Sequence, residues 1–372
     1  MNRVPRIVIA NAYSRTNSGD GLLVDESARL ALEAFPDAEL NLIAMAPSSF
    51  PEYPHALNPV AGPSEDMPWH RVARVFLTGL PHPAVRDLLR DADLVLAVGG
   101  GYLRANTPVA ALKSLISQAS QAPRGDAPPY IYLPQSIGPL PPKGLHTSFE
   151  RLTRAERVYV RDDRSLAECL EHGFPAVRAP DLAVMAIADR WSGSPPDGRT
   201  LSRPARIGLV ARSLPDRHGY VDKVRQLASL PGVELLVQSA GRGNDDPSFY
   251  EALGRPGPHR TLQEALASAD HPDVTISVRM HGALESILAG IPSVHLSYER
   301  KGWGAYEDLG VAEYVHHAWR FNPDVVMGQA LEIAAGPHPF WKQIEASIPR
   351  LRVARGALTR SIREVATRGR GS

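Results

Sequence analysis

The stretch VTISVRMHGALESILAGIPSVHLSY, residues 274–298, has the pattern of a strand, a helix and a second strand. VTISVR at its start and PSVHLSY at its end are short runs rich in strand-forming residues. Between them, GALESILAG has apolar residues at helical spacing and closes on Gly290. A strand, a helix and a strand in this order predict a parallel β–α–β unit.

The same alternation extends over most of the chain. Short apolar runs bounded by Gly or Pro alternate with longer amphipathic segments, so we expect an α/β fold of doubly wound parallel sheets. Strands are predicted at residues 6–12, 40–45, 93–101, 130–136, 157–161, 206–212, 233–239, 274–279 and 292–298.

A segment rich in Pro, Gly, Ser and Asp, residues 188–205, separates the two series of strands. This composition predicts a linker. We therefore expect two Rossmann-like domains, at residues 1–187 and 206–345, followed by a basic helix or tail at residues 346–372.

Composition narrows the class of protein. With 43% apolar and 22% charged residues, the 372-residue chain is typical of globular proteins. The 41 basic and 40 acidic residues leave no net field that would favour nucleic acid. A single cysteine, Cys169, excludes an internal disulfide, and no HxxEH or CxxC spacing predicts a metal site. We expect a cytoplasmic protein with no metal and no resident cofactor.

Polar residues follow the first strand of the opening stretch. In an extended segment side chains alternate, so Ser277, Arg279 and His281 are expected to project to one side. His281 would also lie at or beside a helix N-terminus, where N–H groups and the dipole favour an anion. A bound anion would in turn favour the protonated imidazole. The alternative is a solvated loop with an ordinary packed histidine.

Further cations follow neighbouring strands. Arg212 ends the first strand of the second domain, while Tyr298 and Lys301 follow the last strand of the opening stretch. Because the carboxyl ends of parallel strands meet at one edge of a sheet, we expect these residues near Arg279. Arginine and lysine together suit a ligand with a phosphate and a carboxylate, since a guanidinium matches either group bidentately.

The first domain offers weaker candidates. Asn17 and Asp20, in NSGD, either bind a polar ligand or cap the helix that begins there. Gly100 and Gly101 belong to a glycine triplet that forms either a nest of N–H groups for an anion or a tight turn. Arg161, in VRDDRS, also follows a strand.

Six motifs, taken in order, resemble the polysaccharide pyruvyl transferase family: NSGD, VGGGYL, PQSIGP, VRDDRS, PDLA and SVRMHGALESILAGIPSVHLSYERK. The resemblance extends from about Asn11 to about Gly302. It implies two Rossmann-like domains similar to those of GT-B glycosyltransferases, with the active site in the cleft between them. It also implies that phosphoenolpyruvate, as donor substrate, gives its enolpyruvyl carbons to two sugar hydroxyls and releases phosphate.

The resemblance gives roles to the candidate residues. Arg279, Arg212 and Lys301 would bind phosphoenolpyruvate, and His281 would be the general acid. Asn17 and Asp20 would bind the acceptor sugar, with Asp20 a possible base, and Arg279 and Asp20 are counted with His281 as catalytic. The remaining substrate-binding candidates are Ser277, Tyr298, Gly100, Gly101 and Arg161.

The acceptor would be a polysaccharide, a lipid-linked repeat unit or a small glycoside. Two other functions stay open. ALESILAGIP also resembles the donor-binding helix of nucleotide-sugar glycosyltransferases of the GT-B class, in which the position of Glu285 would bind a ribose. The third hypothesis is a sugar-binding protein without catalytic activity.

The last segment, residues 350–372, carries seven arginines and one glutamate. Its apolar residues recur at spacings of three and four and predict a helix with an apolar stripe and a basic face. We expect the stripe to pack on the body of the protein; contact of the basic face with an anionic membrane is a possible but less favoured alternative. The stripe consists of Leu351, Ala354, Leu358, Ile362 and Val365.

Overall fold

The chain forms two compact units in the computed structural model. The first unit comprises residues 1–15, 20–182 and 353–372, and the second comprises residues 16–19 and 183–352. The short segment 16–19 therefore belongs to the second unit although it lies early in the sequence. The structure describes residues 4–105, 107–123, 127–140, 154–193, 196, 203–241 and 245–368.

The first unit contains a six-stranded sheet in which every pairing is parallel. Its strands are β1 (Arg6–Ala12), β2 (Glu39–Ala44), β3 (Leu94–Ala97), β4 (Tyr130–Gln135), β5 (Arg157–Val160) and β6 (Val177–Arg178). The spatial order is β2-β1-β3-β4-β5-β6. Its helices are α1 (Ser18–Ala34, whose first two residues belong to the second unit), α2 (Trp69–Thr78), α3 (Pro83–Arg90), α4 (Pro108–Ser117) and α5 (Asp163–Glu171).

The second unit contains a five-stranded sheet, also parallel throughout. Its strands are β7 (Ile207–Val210), β8 (Val233–Leu235), β9 (Val274–Ser277), β10 (Ser293–Ser297) and β11 (Val315–His317), in the order β11-β10-β9-β7-β8. Its helices are α6 (Leu182–Arg190, whose first residue belongs to the first unit), α7 (Tyr220–Ser229), α8 (Asp246–Ala252), α9 (Leu262–Ala267), α10 (Met280–Leu288), α11 (Arg300–Leu309) and α12 (Pro323–Ala335).

Both sheets confirm the predicted α/β architecture. All residues of β9 (VTIS) and β10 (SVHLS) are buried, so the polar side chains that alternate with apolar ones in these strands are buried as well. In the first unit, buried residues of the central strands, among them Val8, Val95 and Tyr132, form the core. The predicted linker, residues 188–205, lies partly outside the described residues, and its first three residues end α6.

The last helix, α13 (His338–Arg368), begins before the predicted tail. Residues 338–352 belong to the second unit and the rest of the helix to the first. In the first unit Leu358, Ile362 and Val365 are buried, so this part of the predicted stripe packs on the protein.

The basic face of α13 is also used within the first unit. Arg355 is buried and contacts Glu26 at 3.0 Å and Glu33 at 2.7 Å, and both carboxylates lie on α1. Arg363 donates to the carbonyl oxygens of Glu33 and Ala34 at the end of α1. The arginine therefore complements the negative end of that helix dipole. No helix in the described part of the chain is long and apolar enough to cross a membrane.

Replacing Leu358 by alanine should lower the free energy of unfolding by about 2 to 5 kcal/mol, because a buried side chain is lost and a cavity is left. Val353 lies on the same helix and is 70% exposed, so Val353→Ala is the matched control and should change stability by less than about 0.5 kcal/mol. Urea unfolding measures both. An equal decrease in the free energy of unfolding of the two variants would show that the apolar stripe does not hold the helix on the protein.

Candidate active site

The register of the second sheet brings candidate residues to one edge. Val210 pairs with Ser277, and Ser277 pairs with His295 on the neighbouring strand. Arg212 and Arg279 each follow two residues after these paired positions, at the carboxyl ends of β7 and β9. The two arginines therefore emerge from adjacent strands at the same level of the sheet.

The turn between β9 and α10 differs from the predicted extended segment. Arg279 is the N-cap of α10, and the helix begins at Met280. Alternation therefore ends before His281, which lies in the first turn of the helix, and the expectation that Ser277, Arg279 and His281 project to one side is wrong. The Ser277 hydroxyl is buried; it donates to the carbonyl oxygen of Arg279 at 2.7 Å and accepts from its N–H at 3.2 Å. Ser277 thus closes the turn.

A buried ion pair fixes the Arg279 side chain. Its Nε lies 3.0 Å from both carboxylate oxygens of Asp246, and its Nη2 also donates to this carboxylate. The side chains are 6% and 0% exposed. Asp246 further accepts from the N–H groups of Gln238 at 3.1 Å and Ser239 at 3.0 Å. The Nη1 group of Arg279 takes no part in the pair.

Asp246 was not predicted from the sequence. It lies in NDDPSF at the start of α8, where an aspartate ordinarily suggests a helix cap. Burial raises the pKa of its carboxyl group, while the Arg279 guanidinium and the two backbone N–H groups act against this rise. These partners favour the carboxylate form that Arg279 needs.

Arg212 is held by a tyrosine rather than by a carboxylate. Its Nη1 donates to the Tyr298 hydroxyl at 2.7 Å, and its guanidinium carbon lies 5.3 Å from the centre of that ring. Tyr220 donates to the carbonyl oxygen of Arg212 at 2.7 Å, which fixes the backbone. Among the described residues no carboxylate forms an ion pair with Arg212, and its Nε is buried without a hydrogen-bond partner. No described carboxylate therefore neutralises its positive charge.

Lys301, the third predicted cation, lies in the first turn of α11 and pairs with a neighbour. Its Nζ is 2.6 Å from the Glu299 carboxylate. The side chains are 23% and 40% exposed, so water screens the pair. Lys301 consequently adds less net positive charge than the sequence suggests.

The segment 16–19 packs on the same part of the second unit. The Ser18 N–H donates to the carbonyl oxygen of Gln238 at 3.2 Å, and the Ser18 hydroxyl donates to Glu285 at 2.8 Å. Gln238 donates to the same Glu285 oxygen at 3.1 Å. Glu285 is 7% exposed and lies one helical turn after His281 on α10. Its carboxylate therefore fastens the NSGD loop to the helix that carries His281.

Two other residues of this loop contact the second unit. Asn17 forms an isolated antiparallel bridge with Ser239, whose N–H donates to Asp246. An added Cβ at Gly19 would overlap the Cβ of His281, so only glycine permits this approach. Within the second unit the structure thus brings together Asn17, His281 and Glu285.

Asp20 and Arg161 lie in the first unit and are both buried. The Tyr102 hydroxyl donates to Asp20 at 2.6 Å, and the Tyr102 ring stacks on Tyr13 at 5.0 Å. Arg161 pairs with Asp181 at 2.6 Å, which neutralises its charge inside the unit. Their roles toward a substrate stay predictions.

Gly100 and Gly101 favour the turn interpretation. Neither residue has a positive φ, which the αR–αL form of an anion-binding nest requires. The neighbouring Gly99 is needed for a different reason, because an added Cβ would overlap the carbonyl oxygen of Pro134. In the described part of the chain, no three His, Cys, Asp or Glu side chains are grouped as metal ligands.

Solved structures place this fold in the GT-B class. The Anabaena protein Alr3699/HepE, in complex with UDP and glucose, is 13% identical, with a TM-score of 0.51 over 97% of this chain and 99% of that chain. An α,α-trehalose-phosphate synthase (UDP-forming) from Burkholderia vietnamiensis is 12% identical, with a TM-score of 0.50 over 98% of both chains. At this identity the likeness shows the fold alone.

The sequence also identifies the family. The family model described as polysaccharide pyruvyl transferase matches residues 17–300, and the chain belongs to this family. No curated protein matches the sequence. The family indicates a transferase whose acceptor is a sugar or polysaccharide.

Replacing Asp246 by asparagine should lower the free energy of unfolding by about 3 to 5 kcal/mol, because Arg279 would remain buried without a counter-charge. Asp245→Asn makes the same change at the preceding, exposed position and should cost less than about 0.5 kcal/mol. Chemical denaturation compares the two variants. A small effect of Asp246→Asn would mean that the pair is not the anchor of this edge.

His295 should make stability depend on pH. Its Nδ1 donates to the Ser277 carbonyl oxygen at 2.8 Å, and burial lowers its pKa to about 4. Between about pH 6.5 and pH 4 the unfolded chain binds a proton that the folded chain does not. The free energy of unfolding should therefore fall as pH decreases, by up to about 1.4 kcal/mol per pH unit.

The variant His295→Asn keeps a donor near Nδ1 but does not titrate, so this part of the pH dependence should disappear. His55→Asn, at an exposed site, should retain it. Unfolding curves between pH 4 and pH 7 test the difference. An unchanged slope in His295→Asn would assign the dependence to other groups.

Proposed function

We propose that the protein transfers the enolpyruvyl carbons of phosphoenolpyruvate to two hydroxyls of a sugar, forming a pyruvate ketal and releasing phosphate. The observation that carries the proposal is the uncompensated charge of Arg212 on the strand next to that of Arg279, whose Nη1 stays outside its ion pair. Phosphoenolpyruvate has a carboxylate and a phosphate, and guanidinium groups suit both anions.

The start of α10 supplies the remaining anion contacts. Backbone N–H groups in the first turn of a helix favour a phosphate, and His281 belongs to that turn. A phosphate bound there would favour the imidazolium form of His281. The phosphate of phosphoenolpyruvate would thus help to protonate His281, the acid that acts on the same substrate.

Ketal formation requires that one proton be added to a carbon atom of phosphoenolpyruvate. His281 gives its proton to the methylene carbon of phosphoenolpyruvate, which leaves an oxocarbenium-like centre at C2. A sugar hydroxyl attacks C2 and loses its proton. The bond from C2 to the phosphate oxygen then breaks, phosphate leaves, and a second hydroxyl attacks to close the ketal. Of the two hydroxyl protons, one replaces the proton given by His281 and the other leaves with phosphate.

Candidates of the first unit, together with Asn17 of the second, enter this proposal as acceptor groups. Asp20 is our candidate base, since the hydrogen bond from Tyr102 holds its carboxylate in place. Asn17, Gly100 and Gly101 are candidates for binding the sugar, and Arg161, which is paired with Asp181, is a further substrate-binding candidate. A lipid-linked, polymeric or small sugar acceptor is compatible with this chemistry.

Glu285 argues against a nucleotide-sugar donor. In that alternative its carboxylate would bind a ribose, whereas here one of its oxygens accepts from both Ser18 and Gln238. A ribose would have to displace contacts that hold the NSGD loop. Calorimetric titration with UDP-glucose and with phosphoenolpyruvate discriminates the two donors, and heat of binding from UDP-glucose alone would contradict the proposal.

Replacing His281 by alanine should lower kcat by about 10² or more, the scale of a lost general acid, while phosphoenolpyruvate binding changes less than about tenfold. Phosphate release in the presence of a sugar panel measures turnover, and calorimetry measures binding. His55→Ala, at an exposed histidine, is the control and should behave as the parent. Near-normal turnover of His281→Ala would remove this residue from the role of acid.

A further inference from the structure

Helix α2 turns its large apolar side chains toward solvent. Its sequence is WHRVARVFLT, and Val75 is its one buried residue. Trp69 and Leu77 are each 80% exposed, and Phe76 is 58% exposed. These three positions are spaced by seven and eight residues, so they share one face of the helix.

This orientation is the reverse of that in an ordinary surface helix. An amphipathic helix normally buries its apolar stripe and exposes its polar face. Single exposed apolar residues are common in folded proteins, and Leu170 and Val353 are examples on other helices of this chain. A contiguous stripe with two large aromatic rings is different, because such patches mark interaction sites. Met67, 43% exposed, extends it just before the helix.

Positive charge borders the stripe. At about 100° per residue, His70 and Arg74 lie along the edge next to Leu77, and both are exposed. Arg74 donates to the carbonyl oxygen of Pro81 at 3.0 Å. This acceptor is uncharged, and Arg74 forms no ion pair with a described carboxylate. The helix itself contains no acidic residue.

We propose that α2 docks on the surface of an anionic lipid bilayer, with the helix lying in the plane of the interface. Trp69, Phe76 and Leu77 would enter the boundary between headgroups and acyl chains, where aromatic rings and aliphatic side chains are both favoured. Arg74, on the edge next to Leu77, would lie at the level of the lipid phosphates. This surface is distinct from α13, whose apolar stripe is buried.

The charge of the helix argues for lipid rather than for a second copy of the chain. In a two-fold symmetric dimer the same patch meets itself. The basic edges of the two helices would then approach each other, which is unfavourable for like charges. An anionic bilayer instead complements both the apolar stripe and its basic border. The proposal stands on α2 alone and is independent of the reaction that the protein catalyses.

Vesicle sedimentation tests the proposal with the full chain. The protein should bind vesicles of phosphatidylcholine mixed with phosphatidylglycerol, bind vesicles of phosphatidylcholine alone more weakly, and be partly released by salt. The double variant Trp69→Ser, Leu77→Ser should lose at least about tenfold in partitioning. Arg74→Gln should lose about fivefold on the anionic vesicles and little on the neutral ones.

Control variants keep the test specific. Leu170→Ser and Val353→Ser also remove exposed apolar side chains and should bind as the parent does. Circular dichroism should show that all variants remain folded, since the substituted apolar side chains are exposed. Absence of vesicle binding by the parent chain would overturn the proposal. So would binding that survives the double variant, or a dimer that the double variant dissociates while the parent ignores vesicles.

Discussion

The ion pair between Arg279 and Asp246 organises the carboxyl edge of the second sheet. Two buried charges lose hydration, so such a pair is maintained only when its geometry and its further hydrogen bonds compensate. Here Asp246 accepts from the Arg279 side chain and from two backbone N–H groups after β8. The pair therefore ties the start of α8, the loop after β8 and the start of α10 together. Gln238, in that loop, in turn contacts Glu285 and Ser18.

Ion pairs with carboxylates determine which arginine and lysine side chains keep a net positive charge. Arg161 is paired inside the first unit, and Lys301 is paired with a neighbour at the surface. Arg212 is instead oriented by a tyrosine hydroxyl, which fixes its position without cancelling its charge. Arg279 keeps one nitrogen outside its ion pair. Net positive charge at this edge is therefore concentrated on Arg212 and supplemented by the N-terminus of α10.

Sequence predicted the features that depend on local pattern. The strand, helix and strand of residues 274–298 were recognisable because two short runs of strand-forming residues flank a segment with apolar residues at helical spacing. Asp246 could not be recognised as a site residue, because its partner Arg279 lies 33 residues away and the pairing depends on tertiary structure. The one-sided arrangement predicted for Ser277, Arg279 and His281 failed because the helix starts one residue after Arg279, so the alternation does not reach His281. For α2, periodicity reveals a stripe but not whether it faces the core or solvent.

Pyruvyl transfer from phosphoenolpyruvate is tested most directly by the product formed in deuterated water. An exchanged His281 would deliver deuterium to the methylene carbon, so the account predicts a sugar that carries a pyruvate ketal with at least one deuterium in its methyl group. Phosphate should appear in equal amount. Mass spectrometry of the acceptor, taken from a panel of sugars, reads out both the ketal and its label. A ketal formed without deuterium, or consumption of UDP-sugar without consumption of phosphoenolpyruvate, would contradict the account.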